Sequence, residues 1–140
     1  MQGFSVSTDQ TKLDFDVIYP FISSTYWAKG IPQATLKKAI TNSLAFGVYT
    51  DDNQQVGFAR VITDKATFAY LSDVFILPQF QGIGLAKLLM KNIVEHPDTQ
   101  GLRRFMLATS DAHGLYAQFG FEQITNAQSF MQIWQPTIYQ

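Results

Sequence analysis

The chain contains no cysteine. That excludes a disulfide framework, a thiolate zinc site and a cysteine nucleophile together. Charge of either sign is also scarce: 10 Lys and Arg against 11 Asp and Glu leave a formal net charge of −1. No strong field therefore points toward nucleic acid or an anionic membrane as a partner. No apolar run approaches the roughly 20 residues that span a bilayer. The opening MQGFSVSTDQ lacks the basic-then-apolar layout of a secretory signal. A cytoplasmic location is the expectation. No internal repeat, low-complexity tract or linker interrupts the 140 residues. That length suits one compact domain, residues 1–140, with a core of its own. No group of His, Asp and Glu has metal-ligand spacing, so no metal is expected.

What is present is rich in aromatic and β-branched residues. FSVST reads as an opening strand, and PFISSTYWAKG from Pro20 as a short helix ending near Gly30. PQATLKKAITNSL follows with proline at a first-turn position and Leu36, Ile40 and Leu44 at helical spacing. LAFGVYT, QQVGFARVIT and ATFAYLSDVFIL are separated by the turn clusters Asp51-Asp52-Asn53 and Asp64-Lys65. They predict a three-strand antiparallel meander that Pro78 ends. Residues 82–95 carry Leu85, Leu88, Leu89 and Ile93 on one helical stripe, closed by His96-Pro97. RRFMLAT reads as a strand, AHGLYAQF as a short helix, and FEQI and FMQIW as two final strands. The order is β-α-α-β-β-β-α-β-α-β-β, an α+β chain. Helix 82–95 links its two flanking strands as a crossover, which makes them parallel in an otherwise antiparallel sheet.

The segment QFQGIGLAKLLM, residues 79–90, sets glycines and an alanine at every second position and then turns into helix formers. Unpaired N–H groups at a helix start carry about half a positive charge together, and glycine lets an anion approach them. Two known phosphate loops fail here. No Lys-Ser/Thr pair follows the last glycine, and the third Rossmann position falls on Lys87. On spacing alone, glycines that merely permit close helix–sheet packing are an equal alternative.

The flanks break that tie. VFILPQFQGIGLAKLLM resembles the acetyl-CoA-binding motif of the GNAT family of N-acetyltransferases, through Ile76, Pro78, Gln81, Gly82, Gly84, Leu85 and Ala86. A second family segment appears in AHGLYAQFGF as Ala112, Tyr116, Gly120 and Phe121, and the likeness runs from about residue 4 to 134. Several stretches are similar to a small bacterial branch of that family. The resemblance implies the GNAT acyl-CoA N-acyltransferase fold, with about seven strands and about four helices in a mixed, mostly antiparallel sheet. It implies acetyl-CoA as donor, released as coenzyme A. The backbone of Gln81, Gly82, Ile83, Gly84, Leu85 and Ala86 would bind its pyrophosphate, and the main chain of Phe75 and Ile76 its pantetheine arm. Thr109 stands where many relatives have a cofactor-contacting asparagine, so that contact falls to Thr109, Ser110 or Asp111. Tyr116 matches the tyrosine beside the thioester sulfur, a cofactor contact and a catalytic acid, with plain packing of its ring as the alternative.

The base is open. Ser72 stands where some relatives carry an acid. Asp73 follows it as a catalytic base acting through water, a substrate anchor, or a carboxylate paired with Arg60. Side chains alternate along a strand, so Ser72 and Asp73 face opposite ways unless a bulge intervenes. His113, three residues before Tyr116, has the right chemistry for a base, although a surface histidine is commoner. Tyr26 and Trp27 have apolar bodies and polar tips suited to an acceptor cleft, or to packing a helix on the sheet. Arg60, in an apolar strand, needs Asp64, Asp73 or an acceptor carboxylate if buried. The expected activity is acetyl transfer to a primary amine of a small molecule or protein, by direct attack in a ternary complex. A non-catalytic acyl-CoA-binding or sensing module is the alternative, and a homodimer is compatible with the exposed strand ends.

Overall fold

The computed structural model describes residues 1–140. Five strands form one sheet in sequence order: β1 (Phe4–Ser7), β2 (Leu44–Thr50), β3 (Gln55–Thr63), β4 (Phe68–Ile76) and β5 (Arg104–Leu107). The first four are antiparallel neighbours, and β4 and β5 run parallel. The expected meander and crossover are both present. Turns hold them locally: Asp64 accepts from the Thr67 hydroxyl and from the backbone N–H groups of Thr67, Ala66 and Phe68, which pins the β3–β4 turn and draws the Asp64 carboxyl well below its usual range.

Helices cover both faces. α1 (Phe15–Ile22) and α2 (Gln33–Thr41) bury Ile18, Ile22, Leu36 and Ile40 against Ala45, Phe58 and Phe75. On the other face, α3 (Leu85–Glu95) buries Leu85, Leu89, Met90 and Ile93 against Phe46, Val48, Val61 and Leu71. Each such side chain withdrawn from water stabilises the fold by about 1.5–3 kcal/mol before entropy is counted. α4 (His113–Ala117) follows β5, and Tyr116, Phe119 and Phe121 pack against the α3-side core.

One break in the strand alternation positions the site. Ala69 and Leu71 of β4 face the α3 side, so a period of two would send Phe75 there as well. Phe75 instead lies on the α1–α2 face, stacked on Phe21 at 4.1 Å between ring centroids. The register against β3 shifts between Phe58 and Arg60, and Asp73 adopts φ 57°. A bulge at Asp73 thus flips the facing of the rest of β4.

Two expectations are corrected. The first helix starts at Phe15, not Pro20, because Asp14 caps it by accepting from the Asp16 N–H. Pro20 sits inside it with its ring exposed, and residues 23–30 leave the helix as turns. The sheet has five strands, not about seven: FEQI and FMQIW form no strand. The backbone hydrogen bonds that residues 122–140 donate reach only three residues back, and none reaches β5. The mixed α+β class with four α-helices stands.

Candidate active site

β4 has β3 beside it as far as Ile76, but β5 beside it only from Phe68 to Leu71. Beyond Leu71 the two parallel strands part, and the β4 edge over residues 72–76 faces a cleft instead of a strand. Parallel strands end in such a crevice at their carboxyl ends, where backbone groups are left for a ligand.

The glycine loop borders this cleft. Pro78–Phe80 makes a single 3-10 turn after β4, and the Gln81 side-chain amide donates to the Ile76 carbonyl at 2.9 Å, tying the loop to the strand end. Gly82 and Gly84 both have positive φ, 83° and 93°, where a side chain would be strained. Gly84 is the N-cap of α3 and offers no side-chain acceptor. The N–H groups of residues 82–87 therefore have no backbone partner, and residues 81–84 are exposed. A run of unpaired N–H groups at a helix start suits a phosphate or pyrophosphate. Ile83, at 48% exposure, and Gly82, with open space where a Cβ would project, leave room for one. Leu85 points into the core and Ala86 is half-buried, so both reach the loop only through their main chain.

At the bulge, three expected residues meet. Asp73 is buried, and its carboxylate accepts from Trp27 Nε1 at 2.8 Å and from Arg60 Nε at 2.9 Å. Arg60 also donates to the Ser43 hydroxyl at 3.3 Å. Of the partners considered for Arg60, the structure selects Asp73; Asp64 is engaged in its own turn. Ser43 was not anticipated, although the β2–β3 pairing that sets Arg60 opposite Ala45 brings it within reach. Tyr26, beside Trp27 in an edge-on pair at 5.0 Å, reaches across the cleft mouth to the Ser110 hydroxyl at 3.5 Å. Tyr26 and Trp27 remain exposed.

The β5 side supplies Tyr116 and Thr109. Tyr116 packs edge-on against Phe121, and burial, aided by the Asp111 charge, pushes its phenol above the usual range. Thr109 Oγ1 accepts from the Ala112 N–H at 3.0 Å, so its hydroxyl caps the turn into α4. His113 begins α4 and is exposed. His96 caps the turn after α3, accepting from the Asp98 N–H through Nδ1.

Parallel strands that part beyond Leu71, beside a glycine loop of unpaired N–H groups at a helix start, are the frame of an acyl-CoA-dependent N-acyltransferase. The comparisons agree. The acetyltransferase (GNAT) domain model matches residues 7–135, and the chain belongs to the GNAT family of acetyltransferases. A Gibberella zeae protein with an acetyltransferase designation is 35% identical over 137 residues, covering 82% of this chain and 76% of its own. The crystal structure of a GNAT-family protein from Xanthomonas campestris pv. campestris is 53% identical, with a TM-score of 0.95 over 99% of this chain and 98% of that one. A Mycobacterium tuberculosis protein crystallised in complex with CoA shares the fold at a TM-score of 0.70 and 17% identity, over 86% of this chain and 72% of that one.

Proposed function

We propose that residues 1–140 act as one cytoplasmic GNAT domain that transfers the acetyl group of acetyl-CoA to a primary amine, by direct attack in a ternary complex. The observation that carries this reading is the run of unpaired N–H groups at 82–87, set beside the opening between β4 and β5. The CoA complex of the Mycobacterium tuberculosis relative supports the same donor. Bound acetyl-CoA supplies an activated acetyl carbon; the chain supplies everything else.

The N–H groups of Gly82 to Ala86 hold the pyrophosphate; that of Gln81, expected among them, is instead donated to the Pro78 carbonyl at 3.3 Å. The free β4 edge at Phe75 and Ile76 pairs with the amides of the pantetheine arm as an added strand would. An N–H of that edge polarises the thioester carbonyl and stabilises the oxyanion that forms on attack. Tyr116 stays protonated because burial penalises its phenolate, and it donates that proton to the departing thiolate. A primary amine with a pKa of about 10 is mostly ammonium at neutral pH and must lose a proton first. Asp73 is poorly placed to take it directly, with both carboxylate oxygens already accepting hydrogen bonds. Its role is to fix Trp27 and Arg60, and with them the wall that Tyr26 and Trp27 offer the acceptor. Water in the cleft carries the amine proton away.

The acceptor is a small-molecule amine or a protein amino group, with neither nucleic acid nor membrane as partner, and the chain works as a homodimer. A panel of amines assayed for free-thiol release, with mass spectrometry of the product, tests this reading. It predicts acetylated amine and free coenzyme A in equal amounts. Acetyl-CoA binding without thiol release for any amine would instead favour the sensing module, which the occupied Asp73 carboxylate and the hydroxyl of Ser72 favour.

A further inference from the structure

Two adjacent side chains of β4 project from the same face of the sheet. Leu71 and Val74 pack on the α3 side, and Phe75 on the α1–α2 side. Alternation turns Ser72 to the α1–α2 side. Asp73 joins it there through the bulge, since its carboxylate meets Trp27 of the α1–α2 connection and Arg60. Arg60 stands between Ala59 and Val61, which face α3, so it too points away from α3. Its Cα partner across the strands is Ser72, the first β4 residue beyond the pairing with β5. Ser72, Asp73, Arg60 and Trp27 thus share one patch at the point where the cleft opens.

The polar atoms of that patch are unequally used. Asp73 engages both carboxylate oxygens, with Trp27 Nε1 and Arg60 Nε, and Ser43 accepts from Arg60 Nη1 at 3.3 Å. Arg60 Nη2 and the Ser72 hydroxyl have no partner in the chain. Neither is sealed in, because the Tyr49 hydroxyl is the one buried side-chain polar atom left without a hydrogen bond. The Arg60 side chain keeps 15% of its surface exposed. A buried carboxylate on Nε holds the guanidinium in one orientation. The N–H groups left over on the fork are then fixed donors whose geometry matches a carboxylate.

We infer that the acceptor is a small amine carrying a carboxylate, the chemistry of a free amino acid, and that Arg60 Nη2 and the Ser72 hydroxyl bind that carboxylate. The inference rests on the transferase reading above and narrows its acceptor. The carboxylate lies against the bulge, which leaves the amino group at the free β4 edge, beside the thioester carbonyl. Trp27 and Tyr26 flank the rest of the molecule. A zwitterion brings no net charge to a patch where Arg60 and Asp73 already balance. An amine whose charges are all positive meets the guanidinium with no free carboxylate to hold it, and is rejected.

Matched probes test this: free amino acids and their α-amides, assayed for thiol release with acetyl-CoA in excess. The amide keeps the amino group and the side chain and loses only the negative charge. The kcat/KM of the best amino acid should exceed that of its amide at least about 10-fold, the weight of one hydrogen bond to a charged group. Arg60→Lys keeps a positive charge opposite Asp73 and removes the fork, so the ratio should fall toward one, through KM. Ser72→Ala removes a half-buried hydroxyl that no other group uses, so the fold does not depend on it, and the ratio should drop about 3–10-fold. Calorimetric titration with acetyl-CoA should be unchanged in both variants, which separates loss of the carboxylate contact from loss of the folded site. No thiol release with any amine overturns the transferase reading and this inference with it. Amides turned over as well as amino acids, or a ratio that both variants leave untouched, overturn the carboxylate site alone.

Discussion

The molecule divides at about residue 100 into two regions built differently. All 27 buried residues lie at or before Thr99, and none of residues 100–140 is buried. The first region has two layers of helices clamped on four antiparallel strands, with Phe46, Phe58, Ile22 and Leu89 wholly inside. The second has one short parallel strand, one short helix and a C-terminal segment that joins no sheet. Yet the candidate residues come from both: the glycine loop and the Asp73 cluster belong to the first, Tyr116 and Thr109 to the second, and Tyr26 reaches from one to the other at Ser110. A rigid wall presents fixed N–H groups, while a thinly packed wall is free to close on a ligand or a partner, since regions with few buried contacts open at the lowest cost. On this account the second region acquires its missing packing from what binds it.

Three substitutions and one pH profile sharpen that contrast, from the largest effect to the smallest. Asp73→Ala strikes the packed region: it strands the Arg60 guanidinium and the Trp27 indole N–H, a loss of about 3–5 kcal/mol for a broken buried pair. Thermal or denaturant unfolding should show it as a clear drop in the midpoint. Tyr116→Phe strikes the loose region, where the outcome is catalytic. Turnover should fall by about one to three orders of magnitude, with the unfolding midpoint and acetyl-CoA affinity nearly unchanged. If turnover is unchanged, the acid is another group.

The pH profile gives a third contrast. The Tyr116 phenol lies above the ordinary phenol value of 10.0 because burial disfavours phenolate. The acid form is therefore complete at neutral pH, and its loss should appear in kcat only at pH above about 10. Tyr116→Phe should remove that alkaline limb. The smallest effect falls on Tyr49, whose buried hydroxyl has no hydrogen-bond partner. Burial first, then the charges of Asp9 and Asp14, push its phenol from 10.0 to about 12. The raised folded value means its stabilising contribution is complete below pH 10 and declines as pH climbs through 12. Tyr49→Phe should leave stability at pH 7 unchanged or up to about 1 kcal/mol higher, and should flatten the alkaline loss.

The packed region was largely legible in the sequence. β2 falls on LAFGVYT, and α3 begins three residues after the expected 82, because the loop glycines delay the helix. Strict alternation and turn residues suffice where pairing is between chain neighbours. The loop was readable for the same local reason, since positive φ at Gly82 and Gly84 follows from the residue type. Pro20 misled because proline punctuates most helices from outside, whereas here the Asp14 cap starts the helix earlier. The Arg60 partner stayed open among three because alternation alone cannot place Asp73, and only the bulge turns it toward Trp27. FMQIW has the pattern of a strand, but a strand needs an edge to pair with, and its own chain brings it to none.

The central claim is that the unpaired N–H groups of the glycine loop hold the donor. Calorimetric titration with acetyl-CoA, on the natural chain and on Gly84→Glu, tests it most directly. The substitution sets a carboxylate at the cradle and a side chain at φ 93°, where strain of about 1–3 kcal/mol is expected. The account predicts one acetyl-CoA bound per chain and no measurable binding to Gly84→Glu. Absence of binding to the natural chain, or equal binding to both, would contradict it.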